Sequence, residues 1–146
     1  MKITSSAFRE GQPIPAKYTC DGQDTIPPLK LEGVPQQAVS LALIMDDPDA
    51  PKGTWDHWVL WNIPPKTTEI AEGKAPQGVV GKNSWGKSAY GGPCPPDRQH
   101  RYFFKLYALD TQLNLSGGAS KGDVEKAMKG HVVADAQLMG VYDRKR

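Results

Sequence analysis

Proline and glycine interrupt this chain so often that only short stretches of it can form regular secondary structure. Thirteen prolines and 15 glycines occur among its 146 residues. Proline lacks a backbone N–H, and its ring blocks the interior of a helix. Both residue types are frequent in residues 11–30 and 66–99. This distribution is typical of strands joined by long irregular loops rather than of a helical protein.

Apolar residues lie between these breaks, in runs that have the length and composition of strands. The strongest runs are residues 39–45, 58–63 and 101–109, and a period of two predicts a half-buried strand from His131 onward. Weaker patterns predict short strands within residues 1–10, 29–31 and 79–80.

Helical spacing is convincing only at residues 120–129. Ser120 and Asp123 fit an N-terminal capping pattern, and Gly130 is a natural stop. We therefore predict a single domain, residues 1–146, of the mainly β class. Its antiparallel strands would form a β-sandwich or barrel with one or two short helices and long Pro/Gly-rich loops.

Charge and hydropathy exclude several classes of function. The formal net charge of +2 is too small to predict nucleic-acid binding. No apolar run suits a secretory signal or a membrane span, so we expect a cytoplasmic location and no stable membrane insertion. Two cysteines, Cys20 and Cys94, do not make a disulfide framework, and we expect both to be thiols.

The segment DDPDAPKGTWDH, residues 46–57, joins two of the strongest strands. If these strands are antiparallel, both ends of the segment return to the same end of a sheet, and Asp47 would face His57 across the base of the loop. We expect Asp49 to cap a turn, and Asp46 and Asp56 to face solvent.

His57 and His100 occupy equivalent positions, because each ends a Pro/Gly-rich loop and precedes an apolar strand. If those strands point the same way, both imidazoles lie at one end of the fold, beside Asp47 and the glycine-rich residues 90–93. Such a set could bind an anion, act in general acid–base catalysis, hold a metal through two histidines and a carboxylate, or be structural. The residues alone favour the anion site and the structural role equally.

Two motifs add to this pattern. One is Asp-Pro-Asp-Ala-Pro at residues 47–51, followed by His57-Trp58, and the other is Gly-Pro-Cys-Pro-Pro at residues 92–96, followed by His100-Arg101-Tyr102. In this order and spacing they resemble the phosphatidylethanolamine-binding protein family, in particular its bacterial and archaeal Raf-kinase-inhibitor-like branch. The resemblance extends over essentially the whole chain.

The resemblance implies an antiparallel β-sandwich with an anion pocket at one end. The pocket residues at the matching positions are Asp47, His57, Gly92, Pro93, His100 and Tyr102. The implied ligands are phosphate, phosphorylethanolamine and similar small anions, and a cis peptide bond is implied before Pro51. Larger family members place a C-terminal tyrosine near the pocket, and whether Tyr142 does so is left open.

We therefore expect a regulatory binding module that takes a small phosphate-containing or carboxylate anion, needs no cofactor or metal, and is not an enzyme. One alternative is an inhibitor of a kinase or protease that acts through a protein surface. Another is a weak hydrolase that uses the histidines and the carboxylate. Exposed apolar loop residues would allow a homodimer.

Overall fold

Two antiparallel β-sheets account for most of the regular structure in the computed structural model, which describes residues 1–144. In chain order the strands are β1 (Lys2–Thr4), β2 (Leu29–Glu32), β3 (Ser40–Asp47), β4 (Trp55–Ile63), β5 (Glu69–Ile70), β6 (Val79–Val80), β7 (His100–Leu109) and β8 (Val132–Tyr142). A 3-10 turn at Ala16–Tyr18 and one helix, α1 (Lys121–Met128), complete the elements. The mainly β prediction is confirmed.

The sheets have the strand orders β1-β2-β5 and β6-β4-β3-β7-β8. Strand β3 is central in the larger sheet and is buried at every position. Its side chains at Leu41, Leu43 and Met45 pack in the core that includes the smaller sheet. Ala42 and Ile44 point to the opposite face. Each fully buried aliphatic side chain of this kind contributes about 1.5–3 kcal/mol to folding.

The predicted helix is confirmed together with its cap. The Ser120 hydroxyl accepts a hydrogen bond from the Asp123 N–H, and the Asp123 carboxylate accepts one from the Ser120 N–H. Val124 and Met128 are the buried residues of α1, and they pack on the second face of the larger sheet. The helix therefore covers the side of β3 that the smaller sheet leaves open.

The last strand departs from the simple alternation that the sequence predicted. Ala136 is half-buried and Leu138 is buried, as expected, but Val132 is 41% exposed. A register shift between Ala108 and Leu109 in the neighbouring strand turns the start of β8 away from the core. The two-residue strand β5 was not predicted from the sequence.

The two cysteines form a disulfide, so the expectation of two thiols was wrong. Cys20 and Cys94 are 74 positions apart in sequence, with Cα atoms 5.4 Å apart. The Cys20 N–H also donates to the Pro93 carbonyl oxygen at 3.1 Å. The bond thus joins the two Pro/Gly-rich loops that the sequence showed only as separate segments.

Two further findings concern residues 1–144. No peptide bond in this part of the chain is cis, so the expected cis bond before Pro51 was wrong, and the loop turns there with trans geometry. None of the helices described is long and apolar enough to cross a membrane.

We predict that reducing the disulfide lowers stability without changing the fold. The chain-entropy model gives about 4.5 kcal/mol for a cross-link over a loop of this length, and disulfides typically stabilise the folded state by about 2–4 kcal/mol. Thermal unfolding followed by circular dichroism with and without dithiothreitol should therefore show a lower Tm in reductant. The Cys20→Ser/Cys94→Ser double variant is the control, and its Tm should not respond to reductant. An unchanged Tm for the reduced parent chain would contradict the prediction.

Candidate functional site

A cavity of about 880 Å³ opens at one end of the larger sheet. Strands β4 and β7 are each antiparallel to β3, so they run parallel to each other and begin at the same end. His57 and His100 therefore lie together, as predicted. Of the six predicted site residues, five line the cavity: Asp47, His57, Gly92, His100 and Tyr102. Pro93 is buried and is not part of the lining.

His100 lies between two carboxylates. Its Nδ1 is 2.7 Å from Asp47 Oδ2, and its Nε2 is 2.7 Å from Asp97 Oδ1. The hydrogen bond from His100 lowers the pKa of Asp97. Both ring nitrogens of His100 are therefore engaged within the protein.

Asp47 pairs with His100 rather than with His57, which the loop geometry had predicted. Register shifts between Leu41 and Leu43 and between Met45 and Asp46 together place Asp47 opposite Trp55. The carboxylate of Asp47 contacts His100 on β7. Its second oxygen accepts from the Asp49 N–H at 2.8 Å. Asp47 is thus a buried, hydrogen-bonded anchor in the cavity wall.

His57 has one committed and one uncommitted ring nitrogen. Nδ1 lies 2.7 Å from the Gly91 carbonyl oxygen, which can only accept, so Nδ1 carries a proton. Burial lowers the pKa of His57, against the opposing effects of the Gly91 carbonyl and the Asp47 carboxylate. In the neutral ring Nε2 is then an acceptor. Edge-to-face contacts with Trp85 and Tyr102 hold the imidazole.

The buried hydroxyl of Tyr102 has no hydrogen bond of normal geometry with any of residues 1–144. Burial raises the pKa of Tyr102, and the nearby Asp47 carboxylate raises it further through its charge and a weak hydrogen-bonding interaction with the phenol. The side chain therefore stays a phenol whose proton is not held in a well-formed hydrogen bond. Buried polar groups without partners are rare in proteins, and this one lies in the cavity wall.

Gly91 and Gly92, at the rim of the cavity, contribute to the structure of the loop, and the Gly92 N–H is not free to bind a ligand. The Gly92 N–H donates to Asp24 Oδ1 at 2.8 Å. A Cβ at Gly92 would collide with the Tyr18 carbonyl oxygen, and one at Gly91 would collide with the Trp85 ring. Asp24 itself has a φ of 56°, a left-handed conformation that Asp adopts more readily than most residues.

Several residues at the cavity were not predicted from the sequence. Asp24, Lys52, Trp85 and Lys87 line the cavity, but they belong to loops whose path no sequence pattern predicts. Asp97 is different, because its position three residues before His100 is a signal that could have identified it.

The remaining acids of the 46–57 segment have specific partners. Asp49 receives two hydrogen bonds of 2.9 Å from the Arg101 guanidinium, which lower the pKa of Asp49 to about 2. Asp46 is buried with Lys105 and Lys121 at 3.0 and 2.8 Å, so the expectation that Asp46 faces solvent was wrong. The lysines reach it because it lies on the α1 side of the larger sheet.

Two other predicted features lie away from the cavity lining. The Tyr142 hydroxyl donates to Asp21 Oδ2 at 2.6 Å, and Tyr142 does not line the cavity. His131, which is 45% exposed, pairs with Asp110. Within residues 1–144 no group of three or more His, Cys, Asp and Glu side chains is arranged to hold a metal ion. The metal alternative therefore has no ligand set among these residues.

We predict that Tyr102→Phe is neutral or slightly stabilising. Removing a buried hydroxyl that has no partner removes a desolvation cost of about 1 kcal/mol or more without breaking a hydrogen bond. Urea unfolding should therefore give an unfolding free energy equal to or above that of the parent. Tyr18→Phe is the matched control, because its hydroxyl donates to Glu72 at 2.6 Å, and this variant should be less stable. A clear loss of stability in Tyr102→Phe would show that the hydroxyl has a structural partner.

Comparison with known proteins identifies the family. A family model described as phosphatidylethanolamine-binding protein matches residues 4–143. A UPF0098 protein from Methanothermobacter thermautotrophicus is 53% identical over 150 residues, which cover 99% of each chain. The crystal structure of a phosphatidylethanolamine-binding protein homologue from Chlamydia trachomatis superposes with a TM-score of 0.96 at 44% identity, covering 99% of this chain and 97% of that one.

A second solved structure is more distant in sequence and has the same fold. Escherichia coli YbcL, described as a member of the mammalian family, superposes with a TM-score of 0.91 at 32% identity, covering 99% of this chain and 98% of that one. The chain belongs to the phosphatidylethanolamine-binding protein family.

Proposed function

We propose that the cavity binds a small oxyanion, such as phosphate or phosphorylethanolamine. The observation that carries this proposal is the buried Tyr102 hydroxyl, a proton donor in the cavity wall with no partner among residues 1–144. A ligand oxygen would satisfy it. Two lysines, Lys52 and Lys87, line the same cavity and supply positive charge. Membership of this family is consistent with ligand binding.

The site residues divide into two roles in this proposal. His57 and Tyr102 contact the ligand, because each has an uncommitted polar atom. Asp47 and His100 position the wall through their mutual hydrogen bond of 2.7 Å. Gly92 lines the rim and donates to Asp24. Pro93 lies outside the lining, and its carbonyl oxygen holds the loop against the Cys20 segment.

We further propose that the protein is a regulatory binding module rather than an enzyme. Cys94, the cysteine between the rim prolines, is bonded to Cys20 and has no free thiol for nucleophilic catalysis. His57 donates to a backbone carbonyl through Nδ1, whereas the base of a catalytic triad is oriented by a carboxylate. His100 is oriented by the Asp47 carboxylate, but its second nitrogen is occupied by Asp97. Neither histidine is thus arranged to activate a nucleophile.

A protein partner is a second candidate function, and one observation favours it. Trp55 and Trp85 are 36% and 44% exposed, and their rings pack edge to face at 5.5 Å beside the cavity. Exposed paired tryptophans are typical anchors of protein interfaces. A kinase or protease bound there would compete with phosphate, and a pull-down with added phosphate tests this. A homodimer stays a prediction.

A cytoplasmic location also stays a prediction. The Cys20–Cys94 disulfide bears on it, because disulfides are rare in the reducing cytosol of mesophiles.

We predict that phosphorylethanolamine binds more tightly at about pH 5.5 than at about pH 8. Burial holds the pKa of His57 below its ordinary value of 6.5, so the ring is neutral at the higher pH and its Nε2 repels an anionic oxygen. As the pH falls, either His57 Nε2 or the ligand oxygen takes up a proton. The repulsion between these two atoms is then replaced by a hydrogen bond. Around the ring, Asp24 and Asp47 favour protonation. Isothermal titration calorimetry should show a higher affinity at the lower pH.

Three variants distinguish the pH dependence of affinity that is due to His57 from a general effect of charge on binding. His57→Ala and Tyr102→Phe should each bind weakly, and His57→Ala should lose most of the pH dependence that exceeds the titration of the ligand itself. His131→Ala is the matched control, since this half-exposed histidine pairs with Asp110 and does not line the cavity. Equal affinity at both pH values, or undiminished binding by His57→Ala, would contradict the proposal.

A further inference from the structure

We infer that the cavity selects oxyanions that carry a proton of their own, phosphate and phosphomonoesters, over oxyanions without one, such as sulfate and phosphodiesters. This inference rests on the proposed function, because it concerns which oxyanion the same cavity accepts. It follows from a count of the donors and acceptors in the wall.

Acceptors lie in both the buried and the exposed parts of the wall. The Nδ1 proton of His57 is committed to the Gly91 carbonyl oxygen at 2.7 Å, which leaves Nε2 of the neutral ring as an acceptor. The buried carboxylate of Asp47 and the exposed carboxylate of Asp24 also line the cavity. Each carboxylate has about four lone-pair sites, so the hydrogen bonds they already accept do not exhaust them.

The buried donors of the wall are mostly engaged within the protein. Both nitrogens of His100 face carboxylates, and the Gly92 N–H donates to Asp24. The side-chain amide of Asn83 donates to the Ala89 carbonyl oxygen at 2.9 Å. Among residues 1–144, the Tyr102 hydroxyl is the buried donor of the lining left for a ligand. The remaining donors of the lining are at exposed positions and include the hydroxyls of Thr54 and Ser84 and the ammonium groups of Lys52 and Lys87.

An oxyanion bound to Tyr102 therefore has oxygens that face acceptors. Where a ligand oxygen meets Nε2 of His57 or a carboxylate, two lone pairs oppose each other unless a proton lies between them. A P–OH group supplies that proton, and sulfate has none to supply. Hydrogen phosphate and sulfate have the same charge and nearly the same size. They differ mainly in the P–OH proton, so a difference in their affinity for the cavity would be due to that proton. Leaving such a contact unmade weakens binding by roughly 10- to 100-fold.

The same argument distinguishes two sources of phosphate. A phosphodiester, the form found within a phospholipid, has no P–OH group, whereas a free phosphomonoester keeps one below its second pKa of about 6. The cavity should therefore prefer methyl phosphate to dimethyl phosphate at about pH 5.5, where each carries roughly one negative charge.

Calorimetric titration of the full chain with inorganic phosphate and with sulfate, at about pH 7.5 and matched ionic strength, tests the inference. Phosphate should bind at least about tenfold more tightly than sulfate. Sulfate binding as tightly as phosphate would overturn the inference and leave the proposed oxyanion site standing. If neither ion binds, the proposed function itself fails, and the inference fails with it.

Asp24→Asn sharpens the test. An Asn side-chain carbonyl can still accept the Gly92 N–H, and Asn tolerates the left-handed backbone at this position. The amide N–H₂ adds a donor, so sulfate should bind more tightly and the preference for phosphate should fall several-fold. Asp110→Asn is the control, because it removes the same charge at an exposed residue that pairs with His131, and it should keep the preference. An unchanged preference in Asp24→Asn, or an equal loss in both variants, would overturn the inference.

Discussion

The buried carboxylate of Asp47 is the constraint on which the cavity depends. Asp47 ends a strand that is buried at every position, and its side chain is only 4% exposed. Removing a charge from water costs several kcal/mol unless hydrogen bonds compensate it. The His100 ring and the Asp49 N–H provide that compensation. In doing so they fix the start of β7 and the first turn of the loop after β3.

The loops around this anchor are held by bonds between segments far apart in sequence. The disulfide joins Cys20 to Cys94, and the Tyr90 hydroxyl donates to the Tyr18 carbonyl oxygen at 2.8 Å. Asp24 then receives the Gly92 N–H. Loops of this length are costly to order, and cross-links of this kind offset the entropy that they lose. The long Pro/Gly-rich regions consequently form a cavity wall instead of flexible connections.

The sequence allowed the strong strands, the capped helix and the end of the fold that carries the histidines to be predicted. These features depend on local periodicity, and on the rule that two strands antiparallel to a common neighbour begin at the same end. The pairing of Asp47 with His100 could not be predicted in the same way, because two register shifts between β3 and β4 change which residue lies opposite Asp47. The disulfide and the left-handed Asp24 depend on contacts between distant loops, which leave no pattern in the sequence.

In the cavity, the residues that attract an anion differ from the residues that select among anions. Lys52 and Lys87 are exposed, where their charges act over a distance of about one Debye length, roughly 8–10 Å, and do not depend on the shape of the ligand. His57 and Tyr102 are buried, where a hydrogen bond is strong and a missing one is expensive. In the proposed site the lysines draw in an anion of any kind, and the buried pair then retains the one whose proton fits between the opposing acceptors.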